Sequence, residues 1–141
     1  MTDAATTTDF EPDPRLAADS ALIADGPLSQ IRLMDDARFP WILLVPRVAG
    51  AREWIDLDGG QQRLLLAEIN QVSQLLRHEP GVAKLNIGAL GNIVAQLHVH
   101  LVGRHEGDAA WPGPVWGNGQ TQRFDPEELQ TRVERWRQRL R

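Results

Sequence analysis

The stretch Gln96-Leu97-His98-Val99-His100-Leu101-Val102 alternates polar and apolar residues with a period of two. That period belongs to a half-buried β-strand, because successive side chains leave a pleated backbone on opposite faces. Leu97, Val99 and Leu101 then point into a core, while Gln96, His98 and His100 share the other face. The chain has four histidines, and two of them stand on this one face. Their Cα atoms are about 6.5–7 Å apart on a strand, so both imidazoles reach one phosphate-sized object.

The rest of the chain is organised around that strand. Residues 30–34 and 41–45 read as strands joined by the turn Asp35-Asp36-Ala37-Arg38, with Pro46 stopping the second, which predicts an antiparallel hairpin. Leu65, Ile69, Val72 and Leu76 recur as one apolar helical stripe and predict a helix over 60–78, ended by Glu79-Pro80-Gly81. Residues 84–89 and 96–102 read as two more strands, with Gly91-Asn92 as a tight turn between them. Asp13-Pro14 marks the start of a short helix reaching Ser20, and Gly26-Pro27 ends that region. Residues 103–124, rich in Gly, Pro and Trp, read as a loop.

Asp125-Pro126-Glu127-Glu128 opens a last helix, with Asp125 as N-cap, Glu128 placed for a capping box, and Leu129, Val133, Trp136 and Leu140 as its buried stripe. Strands and helices do not alternate regularly, so the expected class is α+β with an antiparallel sheet. The expected organisation is a disordered tail over 1–10, a domain over 11–124, and a C-terminal helix over 125–141 packed on it.

Composition narrows the function. A length of 141 residues suits one domain. With no cysteine, disulfides and thiolate metal sites are excluded. The net charge of -4 argues against nucleic acid as a partner, since such binding rests on neutralising phosphates. No apolar run reaches a membrane span. The first residues lack the basic and apolar regions of a signal peptide, so a cytoplasmic protein away from membranes is expected.

The paired histidines carry the chemistry. At its ordinary pKa of about 6.5 an imidazole is mostly neutral at pH 7, and a like-charged neighbour disfavours protonating both. A neutral ring can attack a phosphoryl centre and give a covalent phosphoramidate that water then hydrolyses. The second ring can donate a hydrogen bond to a phosphate oxygen or the leaving group. The turn 88–92 can add backbone N–H groups. Two plainer readings compete. The histidines can be polar residues of a solvated strand face. They can also be two metal ligands, but zinc needs a third or fourth, and that strand face offers no carboxylate. His78 reads as a solvated residue at a helix end and His105 as a loop residue. Arg47 and Arg104 read as surface ion pairs as readily as phosphate contacts. Trp111 and Trp116 either wall a pocket or pack at an interface.

The segment Asn86-Ile87-Gly88-Ala89-Leu90-Gly91-Asn92, followed by Gln96-Leu97-His98-Val99-His100-Leu101-Val102, resembles the signature of the histidine triad (HIT) family: Asn-x-Gly, a Gly-rich turn, then alternating histidines. Leu43-Leu44-Val45-Pro46-Arg47 is similar to the family's apolar strand ending in Pro-Lys or Pro-Arg, and Trp111-Pro112-Gly113 to a later Trp-Pro element. The resemblance covers roughly residues 28–117. It implies an α+β fold with a five-stranded antiparallel sheet, usually in a homodimer, and hydrolysis or nucleotidyl transfer at the α-phosphate of a bound nucleotide.

It also implies His98 as nucleophile, His100 against the phosphate and leaving group, and Asn86, Gly91 and Asn92 beside the phosphate. Asp35 or Asp36 is implied at the ribose, and Trp111 at the nucleotide. No cofactor is implied. Three positions depart from the pattern. Gln96 stands where the first triad histidine is expected, Trp41 where a further histidine is expected, and Asn92-Ile93 where Gln and a hydroxyl residue are common. A Gln amide hydrogen-bonds but carries no proton. Leaving groups that need little protonation, as in dinucleoside polyphosphates, are therefore favoured over amines. A nucleotide-binding protein with little or no catalysis is the alternative.

Overall fold

The structure is a computed structural model and describes residues 10–141. Of the tail expected over 1–10, residues 1–9 lie outside the described residues, and Phe10 is half-buried against the core. Helix α1 spans Pro14–Asp19, with Pro14 at its first position and the Asp13 carboxylate accepting from the Arg15 N–H at 2.8 Å. Strand β1, Ser20–Asp25, follows at once. It was not foreseen in the sequence, where this region reads as helix and coil. The reason is local: its register against the next strand shifts between Leu22 and Ala24, so its buried residues Ser20 and Ile23 are three apart and no period of two is visible.

Strands β2 (Ser29–Met34) and β3 (Trp41–Pro46) form the expected antiparallel hairpin. Helix α2, Gly59–Arg77, begins with a capping box in which Asp58 and Gln61 exchange bonds of 2.8 and 2.9 Å. Strands β4 (Lys84–Gly88) and β5 (Val99–Arg104) complete one antiparallel sheet in the order β1-β2-β3-β5-β4. Helix α3, Pro126–Arg139, closes the described chain. The fold is thus α+β with a five-stranded antiparallel sheet and a C-terminal helix on it.

Three expectations around β5 are corrected. Pairing begins at Val99 rather than 96, and the link from β4 runs over 89–98 rather than through a tight turn at Gly91-Asn92. The Leu97 N–H is drawn out of the ladder to the Ala51 carbonyl at 3.0 Å. The strand also continues to Arg104, so 103 and 104 are not loop. Gly103 makes this possible, because a Cβ there would lie 2.7 Å from Val82 and 3.0 Å from Pro40. At α3, Asp125 makes no side-chain cap bond, and Glu128 pairs with Arg132 at 3.0 Å instead of forming a capping box.

The sheet separates two cores. On one face, Ile42, Leu44, Val99 and Leu101 pack with Leu65, Val72 and Leu76 of α2 and with Val133 and Trp136 of α3. On the other face, Trp41, Leu43, Val45 and Val102 pack beneath Leu16 of α1 and Val115 of the loop. Every residue of β3 is buried because the strand is covered on both sides. That second face carries His98 and His100. No helix among the described residues is long and apolar enough to cross a membrane.

Candidate active site

His98 ends the β4–β5 link, and His100 sits in β5, opposite Gly88 on one side and Leu43 on the other. Both open onto a cavity of about 460 Å³, whose walls include Leu16, Arg38, Trp41 and Trp116. Each histidine is 6% exposed, so neither is a residue of a solvated strand face. Their ring centroids are 4.8 Å apart, edge to face.

The two rings have opposite hydrogen-bond polarity at Nδ1. His98 Nδ1 lies 2.7 Å from the main-chain oxygen of Gln96. A carbonyl only accepts, so His98 Nδ1 carries the hydrogen, and in the neutral ring Nε2 holds the lone pair. The Trp41 indole N–H donates to His100 Nδ1 at 3.1 Å. An indole N–H only donates, so His100 carries its hydrogen on Nε2. Burial, reinforced by His98 beside it, pushes the His100 pKa down to about 3. His100 is therefore neutral at physiological pH. Trp116 holds its ring from another side at 5.3 Å, with its own Nε1 buried and unpartnered among the described residues.

The remaining sequence candidates divide. Gly91 and Asn92 line the cavity, as does Asp36. Asp36 is already engaged: Arg38 donates to it from its backbone N–H at 3.1 Å, from Nε at 3.0 Å and from Nη2 at 2.9 Å. Although burial opposes ionisation, these bonds hold the Asp36 carboxyl below its usual range. Asp35 lies off the cavity, accepting from the Phe124 N–H at 2.9 Å and from Arg123 at 3.0 Å. Gln96 commits its side chain to the N-terminal segment, not to the histidines. Its Oε1 accepts from the Asp13 N–H at 2.7 Å, and its Nε2 donates to the Glu11 carbonyl at 3.2 Å.

Asn86 also lies off the cavity, its Oδ1 accepting from Arg104 Nη1 at 2.7 Å. Arg104 is a buried anchor rather than a surface residue: it grips Asp108 at 2.7 and 2.9 Å and lies between the rings of Phe39 and Trp111. Trp111 therefore packs on Arg104, and the cavity wall is Trp116. His78 and His105 are exposed and bond to neighbouring carbonyls of Gln74 and Glu106. Arg47 pairs with Asp25.

Arg38 is the cavity cation that sequence reasoning missed, read there only as a turn residue. Its position two residues after Asp36 was the available signal, since that spacing lets a turn carboxylate bond the following N–H and guanidinium. Leu16 was missed as a wall for a different reason: only tertiary packing brings α1 over the histidines.

The HIT domain family matches residues 15–107. The chain belongs to the HIT family. Three solved histidine triad proteins share its architecture. One, from Sinorhizobium meliloti 1021, is 47% identical and superposes with a TM-score of 0.87 over 91% of this chain and 95% of that one. Another, from Bradyrhizobium japonicum, is 46% identical with a TM-score of 0.89, over 94% of this chain and 98% of the other. A third, from Marinobacter aquaeolei VT8, is 43% identical with a TM-score of 0.85, over 89% and 91% of the two chains. No curated protein matches the chain. In this HIT protein the paired histidines lie within the matched segment, on the sheet face opposite α2 and α3.

Proposed function

We propose that this HIT protein is a nucleotide hydrolase or nucleotidyl transferase acting at the α-phosphate of a bound nucleotide, of the dinucleoside polyphosphate or nucleoside phosphoramidate class. The observation that carries the reading is the polarity of the two rings. His98 presents a lone pair at Nε2, and His100 presents an N–H at Nε2, both toward one cavity. His98 attacks phosphorus, and the Gln96 carbonyl stabilises the positive charge that develops on its ring through Nδ1–H. His100 holds a phosphoryl oxygen or the leaving oxygen. Arg38, paired with Asp36 on the cavity wall, offers guanidinium N–H groups to a phosphate, and Trp41 and Trp116 supply the apolar walls. Gly91 and Asn92 close the phosphate side. The nucleophile and its donors all come from the chain, so the reading calls for no cofactor.

The protein is also taken to act in the cytoplasm as a homodimer, without nucleic-acid or membrane partners. Among the described residues β4 is an edge strand, paired on one side only by β5, and Ile87 on it is 49% exposed, which suits pairing with a second copy. Sedimentation at micromolar concentration tests this directly; a monomeric mass rules it out.

A second reading, nucleotide binding with little catalysis, is favoured by one observation: the Gln96 amide is committed to residues 11–13 and gives the histidines no proton carrier. Wild type and His98→Asn, run on adenosine and guanosine dinucleoside polyphosphates and phosphoramidates, separate the two. Release of a nucleoside monophosphate by wild type alone, with a trapped nucleotidyl adduct in its intact mass, supports the enzyme. Binding without turnover supports the second reading. Equal turnover by both proteins removes His98 as nucleophile.

A further inference from the structure

The bond from Trp41 to His100 has a chemical consequence for the leaving group. An indole nitrogen has no acceptor capacity, so His100 Nδ1 must remain a lone pair while this 3.1 Å bond exists. His100 then has one hydrogen, on Nε2. Giving it up would leave an imidazolate, which is inaccessible near neutrality. Gaining a second proton would break the indole bond and charge a ring enclosed by Trp41, Trp116 and His98.

We infer that Trp41 is a positioning residue that fixes His100 as a hydrogen-bond donor unable to transfer its proton, and that the site therefore takes nucleotide phosphoric anhydrides in preference to phosphoramidates. This rests on the function proposed above.

The other groups around the cavity do not supply the missing proton. His98 Nε2 is spent on phosphorus. Asp36 is held by Arg38, whose own charge that pair reinforces. Asp19 pairs with Arg123 at 3.3 Å, and Asp13 with Arg15 at 3.3 Å. Gln96 is an amide. The depressed pKa of His100 agrees with the geometry.

With an anhydride the step balances without an acid. The His98 Nε2 lone pair forms a P–N bond, the P–O bond to the bridging oxygen breaks, and its electron pair leaves on a phosphate or polyphosphate anion. His100 Nε2–H stabilises that oxygen. Water then attacks phosphorus, the P–N bond breaks, its pair returns to His98 Nε2, and the water's proton passes to solvent. With a phosphoramidate the departing nitrogen must be protonated as its bond to phosphorus breaks, and general acids typically contribute about 10²–10⁴-fold to such steps.

The test pairs kinetics with spectroscopy. Wild type and Trp41→Phe are assayed on diadenosine tetraphosphate and on an adenosine phosphoramidate of a simple alkylamine. Wild type should cleave the anhydride at least about 100-fold faster in kcat/KM. In W41F the preference should narrow by about tenfold or more, because His100 is free to exchange tautomers and protonate. Comparable wild-type rates on both substrates overturn the inference, as does an unchanged preference in a folded W41F.

Nitrogen-15 NMR of wild-type His100 needs no variant. It should report the Nε2–H tautomer without titration between about pH 5 and 8; an Nδ1–H tautomer, or titration in that range, overturns the lock. If neither these substrates nor their guanosine counterparts yield a nucleoside monophosphate, the proposed function fails and the substrate preference with it, while the His100 spectrum still decides the role of Trp41.

Discussion

The main-chain oxygen of Gln96 lies 2.7 Å from Nδ1 of His98, while the Gln96 side chain binds residues 11 and 13 of the N-terminal segment. Residue 96 thus serves His98 through its backbone and anchors the N-terminal segment through its side chain.

The first prediction separates these roles. In Gln96→Ala the His98 tautomer persists, because a carbonyl remains at position 96. The bonds to Glu11 and Asp13 are lost, at about 1 kcal/mol each. Hydrogen exchange at the Asp13 amide should accelerate severalfold, while covalent adduct formation at His98 survives. Loss of the adduct in a folded Q96A would show that the side chain acts in the chemistry.

Stability should fall in mild acid because of His100. Its pKa is about 3 folded, against about 6.5 unfolded, so between these values the unfolded chain binds more protons. The contribution is fully present above about pH 6.5 and is lost as pH drops toward 3. From this group alone, unfolding free energy should be about 2 kcal/mol lower at pH 5 than at pH 8. Urea melts at the two pH values, for wild type and His100→Asn, check it: the variant should show the smaller difference.

Asp108 offers a test of the buried anchor. It is bidentate to Arg104, and the two side chains are 2% and 1% exposed. The guanidinium holds the Asp108 carboxyl far below the carboxylate range. Asp108→Ala leaves the Arg104 charge buried without its partner, which should cost about 3–5 kcal/mol. A thermal melt within about 1 kcal/mol of wild type would mean that Asn86 and the Gly113 carbonyl suffice to hold Arg104.

Gly88 couples β4 to the pocket wall. A Cβ there would lie 3.3 Å from Trp116 Cη2, a contact the indole must yield to by a few tenths of an ångström. Gly88→Ala should raise KM about threefold to tenfold with stability changed by under about 1.5 kcal/mol, the usual range for a small overpacking that can relax. Unchanged KM would place the nucleotide away from Trp116.

Much of the sheet was legible because its signals are local. The alternation around His98 and His100 and the stripe through Leu65, Val72 and Leu76 both act within one or two turns of chain, whereas the capping box of Asp58 and Gln61 that starts α2 was not read in the sequence. β1 was not legible, since the register shift between Leu22 and Ala24 erases its alternation. Gln96 was expected on the histidine face for the opposite reason. The alternation extends through it in sequence, but the Ala51 carbonyl captures the Leu97 N–H and the ladder starts later.

The sequence by itself determined the segment that carries the histidines, which face they share, the α+β class and the family. Those follow from residue type and spacing, because a pleated backbone converts a period of two into a face. Only the tertiary structure decided what each histidine is. The Gln96 carbonyl makes His98 a lone-pair donor at Nε2, and Trp41, from a strand far away in sequence, makes His100 a hydrogen donor at the same atom. An imidazole takes its tautomer from its hydrogen-bond partners, and those partners exist only once the chain has folded.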